Sequence, residues 1–380
     1  MDVDLSESQQ ILVKTLRRFC EEKVKPFARQ WDKEHTFPKA VVRELGAMGM
    51  LGILLPEKYG GAGLGYTEFA LVVEEVARYD GSLALTIASH NGLGTGHLSS
   101  FGSEAQKDKF LPKLATGEIL GAWALTEPGS GSDAGGMRSN AVRKGDKWIL
   151  NGSKMFITQG TVGGCCVALA VTDAKAGKRG ITAFLLEPGM PGFTSRSIHD
   201  KLGMRSSDTA ELVFENVELT DAQVVGQVGQ GFIDTMKILD RGRISIAALG
   251  VGIIRGSLEE SLKYAQDRTA FGHPIADFQA IQWKLANMAT EYDASRLLTL
   301  RVAALADAKL PFSREASMAK LFSSEAAMRA ASEAVQIHGG YGYTQEFPVE
   351  RYLRDAKLLE IGEGTSEVQR MVIARHLLAG

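Results

Sequence analysis

Three short segments of the 380-residue chain carry residue types that could do chemistry. In Glu363-Gly364-Thr365-Ser366-Glu367-Val368-Gln369-Arg370, Ser366 and Gln369 have the spacing of a capping box. That spacing predicts a helix starting there, with Glu363 in the loop just before it. A carboxylate on a loop at a helix entrance can face a cavity while its backbone N–H stays free to donate. A general base that also stabilises developing negative charge needs both features. The plainer reading is a solvated surface glutamate, the commoner state of that side chain.

The segment Ala124-Leu125-Thr126-Glu127-Pro128-Gly129-Ser130-Gly131-Ser132-Asp133 reads as a strand ending in Thr126 and a loop of small residues. Its amides and hydroxyls suit a polar heterocycle or a phosphate; the alternative is a plain glycine-rich turn. The glycines do not fit G-x-G-x-x-G, and no helix follows, which rejects a Rossmann reading. Met155-Phe156-Ile157-Thr158-Gln159-Gly160 follows an Asn151-Gly152 turn signal. Taken alone it is only a strand, although an aromatic and a hydroxyl there could shield and bind a flat ring.

The elements that must hold these segments divide by period. Ser6 with Gln9 opens one helix, and Pro38, at a first helical position, opens another that ends near Gly49. After a glycine-rich turn at 60–65, helices are expected over 66–79 and 82–98. From Gly121 to about Thr220, short strand-like runs alternate with turn signals at Lys144-Gly145-Asp146, Asn151-Gly152, Asp173 to Gly180 and Pro188-Gly189. Long amphipathic helices return at 232–268, 277–308 and 313–337, with a last one after Ser366. The expected architecture is mainly α with a central β domain: a helical domain over 1–120, a β-barrel-like domain over 121–229 and a four-helix bundle over 230–380.

The bulk numbers exclude other classes. Hydrophobic residues at 44% and charged residues at 23% are those of a globular protein. A net charge of -2 gives no general attraction to nucleic acid or anionic lipid. Cys20, Cys165 and Cys166 make an unsuitable disulfide set, which fits a reducing compartment. No His, Cys and Asp cluster has metal-ligand spacing. The N-terminus, with Asp2 and Asp4, lacks the pattern of a signal or transit peptide, and no apolar run approaches the roughly 20 residues of a membrane span. The expected location is a bacterial-type cytoplasm or, for a processed organellar form, the mitochondrial matrix.

In combination and in this order, the three segments resemble those of the acyl-CoA dehydrogenase family. The resemblance runs over essentially the whole chain and includes Arg268-Thr269-Ala270-Phe271-Gly272, Gln279 and Gln336-Ile337-His338-Gly339-Gly340. It implies FAD, with Trp123, Leu125, Thr126 and Ser132 lining it from one strand loop and Phe156 and Thr158 from the other, Thr158 near the flavin N5. Arg268, Phe271, Gln279, Gln336 and Gly340 resemble residues that hold the pyrophosphate and adenosine, often across to a neighbouring subunit. A guanidinium suits phosphate oxygens, although Arg268 by itself also reads as a surface ion-pair partner. Thr365 and Glu367 complete the implied cofactor contacts.

The same resemblance makes Glu363 the base that takes the α-proton of an acyl-CoA while the β-hydrogen leaves as hydride. Gly364 would leave room for the thioester, and Asp240, Arg243 and Ser132 would lie near substrate; Arg243 reads equally well as a helix-surface cation. Some relatives carry the glutamate on the long bundle helix, where this chain has Gly242, and many have Trp where Phe156 stands. His338 reads as a packing or backbone-bonding residue. Also implied are an electron-transfer flavoprotein as acceptor, a homotetramer, and a short acyl substrate with its pocket between the 82–98 helix and the start of the bundle. The setting would be fatty acid β-oxidation or branched-chain amino acid catabolism. Two alternatives stand beside this: an acyl-CoA oxidase, which here would lack the usual extra C-terminal domain, and a DNA-binding relative, for which no dense basic stripe is present near Arg351, Arg354 and Lys357.

Overall fold

The computed structural model describes residues 5–379; Asp2 and Asp4 lie outside them. Seven helices come first: α1 (Glu7–Lys23), α2 (Ala28–Glu34), α3 (Lys39–Ala47), α4 (Tyr66–Ala77), α5 (Gly81–Ser89), α6 (Thr95–Phe101) and α7 (Glu104–Ala115). The Ser6/Gln9 box closes as expected, whereas Pro38 is the residue before α3 and not its first turn. α5 and α6 are joined without a break by a π-helical turn, His90–Gly94, so the expected single helix over 82–98 carries an internal bulge. Such turns recur at functional sites. α7 begins with a second capping box, Ser103 with Gln106, that the apolar pattern alone does not reveal.

The middle of the chain is an eight-stranded sheet: β1 (Gly121–Ala124), β2 (Asn140–Lys144), β3 (Lys147–Thr158), β4 (Cys165–Val171), β5 (Ile181–Leu186), β6 (Phe193–Ser197), β7 (Thr209–Leu219) and β8 (Val224–Val225). The order is β6-β7-β3-β2-β4-β5-β8, with β1 parallel to β4. Asn151-Gly152 is not a turn. It lies inside β3, where the pairing with β7 shifts register between Leu150 and Gly152. Two steps along β3, Leu150 to Gly152, face three along β7, Val217 to Phe214, so the extra residue is on β7 and the Asn-Gly dipeptide lies opposite a bulge.

Three long helices, α8 (Gly231–Asp267), α9 (Gln279–Asp307) and α10 (Ser313–His338), follow, then α11 (Val349–Leu359) and α12 (Ser366–Leu378); a two-strand hairpin at 269–274 joins α8 to α9. α8 is buried almost all round between Gly242 and Ile254. A Cβ added at Gly252 would overlap the Glu74 carbonyl of α4, so the N-terminal helices reach α8 at backbone distance. The Ala-rich face of α10, from Ala316 to Ala334, is fully buried on the other side. Cross-domain bonds fix the sheet against this frame: Gln159 Nε2 donates to Thr86 O at 2.7 Å, and His90 Nδ1 accepts from Gly121 N at 3.1 Å.

Candidate active site

Glu363 and Gly364 form the turn between α11 and α12, with φ of +52° and +93°. A non-glycine residue in that region is uncommon and costs about 1–2 kcal/mol, so the turn must be held by its surroundings. Gly364 O accepts from Lys320 Nζ at 2.7 Å and from Gln369 Nε2 at 2.8 Å; Gln369 Nε2 also reaches Glu363 O at 3.4 Å. The helix cap is Thr365, whose hydroxyl accepts from Val368 N, and Ser366 is already helical. Gln369 therefore grips the loop carbonyls instead of closing the expected box. The Glu363 N–H donates to no acceptor in the chain among the described residues.

The Glu363 side chain turns inward. Its Oε2 is buried without a hydrogen-bond partner and lies over Gly242 of α8, where an added Cβ would overlap it. Burial pushes the carboxyl up to about 7, against the pull of Lys320 and Arg243. Desolvation thus poises a carboxylate for base chemistry near neutral pH. Arg243 is not a surface cation: it is 6% exposed, with Nη1 donating to Asp240 Oδ1 at 2.5 Å and Ser317 Oγ at 3.3 Å. Its Nε is buried and unpartnered. The π-helical turn closes this side, since a Cβ on Gly92 would stand 3.7 Å from Ser245 Oγ and 3.9 Å from the Gly242 Cα.

The two strand loops are tied to each other. β1 ends at Ala124, two residues earlier than expected, and Met155 N donates to Thr126 O at 2.9 Å. Beneath them Lys154, fully buried, donates to Leu125 O at 3.0 Å and Glu127 Oε1 at 2.8 Å. Glu127 also accepts from Arg138 N and Ser139 N. Burial works to raise its pKa, but Lys154 and these N–H donors hold it below the usual carboxylate range. Trp123 is buried with its indole N–H on His97 Nδ1 at 3.1 Å. Leu125 is buried, Thr126 and Thr158 half-buried and Ser132 exposed. Phe156 has φ +61° at a second β3 register shift and is 65% exposed. That strained, outward aromatic beside two accessible hydroxyls fits one face of a flat ring.

The remaining expected cofactor residues stand elsewhere. Arg268 caps the far end of α8, 26 residues beyond Gly242, or about 39 Å along the axis. With it are Phe271, 93% exposed, and exposed Gln279, Gln336 and Gly340. Arg268 is no ion-pair partner among the described residues; it lies over the Tyr341 ring at 5.9 Å. Thr365 and Glu367 sit beside Glu363, Glu367 exposed. His338 packs on Tyr264 and bonds Ala334 O through Nδ1.

Comparison with known proteins matches three family models in chain order: the acyl-CoA dehydrogenase N-terminal domain over residues 6–118, the middle domain over 122–217 and the C-terminal domain over 229–378. The chain is 45% identical to the mitochondrial short-chain specific acyl-CoA dehydrogenase of Homo sapiens, covering 99% of this chain and 91% of that protein. The chain belongs to the acyl-CoA dehydrogenase family. The butyryl-CoA dehydrogenase structure from Megasphaera elsdenii superposes with a TM-score of 0.97 at 42% identity, covering all of both chains. A glutaryl-CoA dehydrogenase from Mycobacterium smegmatis in complex with FADH2 does so at 0.95 and 33%, covering 100% and 97%. Family members bind FAD, and this acyl-CoA dehydrogenase carries out acyl-CoA dehydrogenation.

Three residues of this acyl-CoA dehydrogenase's site escape motif reading, Lys320, Lys154 and His97, while Gln369, expected as a cap partner, holds the loop carbonyls instead. Two had a signal. Lys320 recurs at helical spacing with Ser317, Ser324 and Ala327 on the buried face of α10, and Lys154 falls on the inward register of β3 with Trp148 and Leu150. A lone lysine in such a stripe must be bonded, because a buried ammonium without a partner is costly.

Proposed function

We propose that this enzyme dehydrogenates a short acyl-CoA at its α and β carbons to the trans-2-enoyl-CoA, with Glu363 as the base, and passes the electrons to an electron-transfer flavoprotein. The observation that carries this is the Glu363 side chain turned inward over Gly242, its Oε2 buried and unpartnered, where burial raises the carboxyl pKa to about 7. Glu363 takes the α-proton, and its free N–H donates to the thioester oxygen as negative charge gathers there. Gly364 and Gly242 leave the approach clear, and Asp240 and Arg243 fix polar groups of the substrate at its edge. Bound FAD supplies the hydride acceptor that side chains lack. Trp123, Leu125, Thr126, Ser132, Phe156 and Thr158 form one holding surface for its ring.

Arg268 lies about 39 Å along α8 from Gly242, the residue that meets the Glu363 carboxylate, and Phe271, Gln279, Gln336 and Gly340 belong to the same end of the bundle, away from the Glu363 loop. They serve the site of a second copy, which supports an oligomer, here a homotetramer by resemblance. Exposed Phe271 (93%), Tyr343 (89%) and Trp283 (64%) mark faces for such a copy to cover.

The test is anaerobic titration of the FAD-loaded enzyme with straight and branched acyl-CoAs, alongside Glu363→Gln. Bleaching by short acyl groups, lost in the variant while ligand still binds, is the expected result. Undiminished bleaching in Glu363→Gln rejects the base assignment, and rapid reoxidation by air with peroxide release rejects the flavoprotein acceptor.

A further inference from the structure

Lys320 presents a fully buried ammonium on α10, facing α8 and the Glu363 loop. Its Nζ donates to Gly364 O at 2.7 Å, and no carboxylate lies within ion-pair distance of it among the described residues. An amine is not buried this way for packing alone, because desolvating it is costly unless it is hydrogen-bonded and its charge is answered. The bond goes to the peptide that follows Glu363, in a turn whose two residues both have positive φ. Gln369, also fully buried, is the second donor to the same carbonyl.

The charges around Glu363 are unequal in effect. Arg243, from α8, is engaged by Asp240, which also accepts from Ser313 Oγ at 3.0 Å. On the loop's own side Glu360, at the end of α11, is engaged by Lys357 at 2.6 Å, and Glu367 in the first turn of α12 adds negative charge. The α10 face contributes Lys320, whose charge has no close partner. We propose that Lys320 is a positioning residue for Glu363: it anchors the Gly364 peptide and supplies the unneutralised positive charge facing the Glu363 carboxylate.

This rests on reading Glu363 as the base. Burial brings the Lys320 pKa down to about 8, so it remains an ammonium at neutral pH, while burial raises that of Glu363 to about 7. Removing the ammonium leaves the desolvation of Glu363 less opposed, so its proton is held to higher pH and the basic form appears later.

The FAD-loaded enzyme is mixed anaerobically with butanoyl-CoA across the neutral pH range, and the rate of flavin bleaching is followed. In parallel, without substrate, infrared spectroscopy tracks the protonated-carboxyl band that Glu363→Gln abolishes. Lys320→Met is expected to move both midpoints upward by about one unit or more, and Lys320→Arg to keep them near the native value. A purely structural lysine would lower stability or flavin content and leave the carboxyl midpoint in place, and a native midpoint in Lys320→Met overturns the proposal. Should that variant fail to fold, Lys320→Gln, which keeps a donor but no charge, carries the same measurement with the same two outcomes. Undiminished bleaching in Glu363→Gln would instead sink the reading of the base.

Discussion

The Glu363 carboxylate occupies the space that a side chain at Gly242 would fill. The two positions thus compete for one volume, and the absence of a Cβ on α8 is what lets a glutamate from the α11–α12 turn reach it. Gly242→Ala should gain up to about 1 kcal/mol of helix propensity and push Oε2 aside, against a modest contact with Leu93. Stability by urea unfolding should stay within about 1 kcal/mol of native, while flavin bleaching by acyl-CoA falls by about a hundredfold, the cost of a misplaced reacting group. An unchanged rate would mean the carboxylate does not work from that place.

Glu363 is a carboxylate whose folded pKa is raised to about 7, chiefly by burial. A base must be unprotonated, so the bleaching rate constant should climb as pH rises through about 7 and level off above. In Glu363→Asp the shorter side chain no longer reaches, and the rate should drop at every pH. A rate independent of pH between about 6 and 8 would contradict a base with this titration.

Lys154 and Glu127 carry the strand loop that presents Leu125 and Thr126. Lys154→Met leaves a buried carboxylate with two N–H donors and no counter-charge, an arrangement that costs about 3–5 kcal/mol. FAD retention after gel filtration should fall with it. Adding Glu127→Gln should return a good part of the stability, because the second change removes the unpaired charge. A single-variant loss below about 1 kcal/mol would show the pair to be dispensable.

The parts of this site legible in the sequence were those built from local chemistry. The Glu363 loop, the Thr126 loop and the Phe156 segment each announce themselves by residue type over a few positions, and the α, β, α order follows from hydrophobic period. What escaped depends on register or on distant partners. Gln369 has the right spacing for a cap, yet its amide turns back to the Glu363 and Gly364 carbonyls because Thr365 already satisfies Val368 N. Asn151-Gly152 has the composition of a hairpin turn but lies opposite a bulge, since β3 pairs with β7 on both sides of it. Arg243 is buried because α10 covers it at Ser317, a contact 74 residues away.

His90 and His97 are buried and neutral, with burial bringing each down to about 4. Both would take up a proton near 6.5 in the unfolded chain, so the unfolded state binds more protons between these values. Stability is therefore fully present above about 6.5 and is lost as pH falls toward 4, by up to about 3 kcal/mol for each residue. Urea unfolding at about pH 7 and 5 should show this, and His97→Gln, which can still accept from the Trp123 indole, should reduce the slope by one histidine's share. An equal slope in that variant would place the acid sensitivity elsewhere.

Arg268 caps α8 26 residues beyond Gly242, the residue under the Glu363 carboxylate, and this separation makes a composite site testable. Glu363→Gln removes the base, and Arg268→Glu removes a cation and replaces it with a charge that repels phosphate. Each variant alone should be nearly inactive in bleaching assays. When the two chains are co-expressed and assemble together, some sites pair the intact Glu363 of one with the intact Arg268 of the other. Those sites should recover a fraction of the native activity, whereas a site built within one chain would carry a defect in every copy and recover none. Activity returning only in the mixed preparation would assign the Arg268 end to the neighbouring copy, and no return in a verified mixed oligomer would overturn that division of the site.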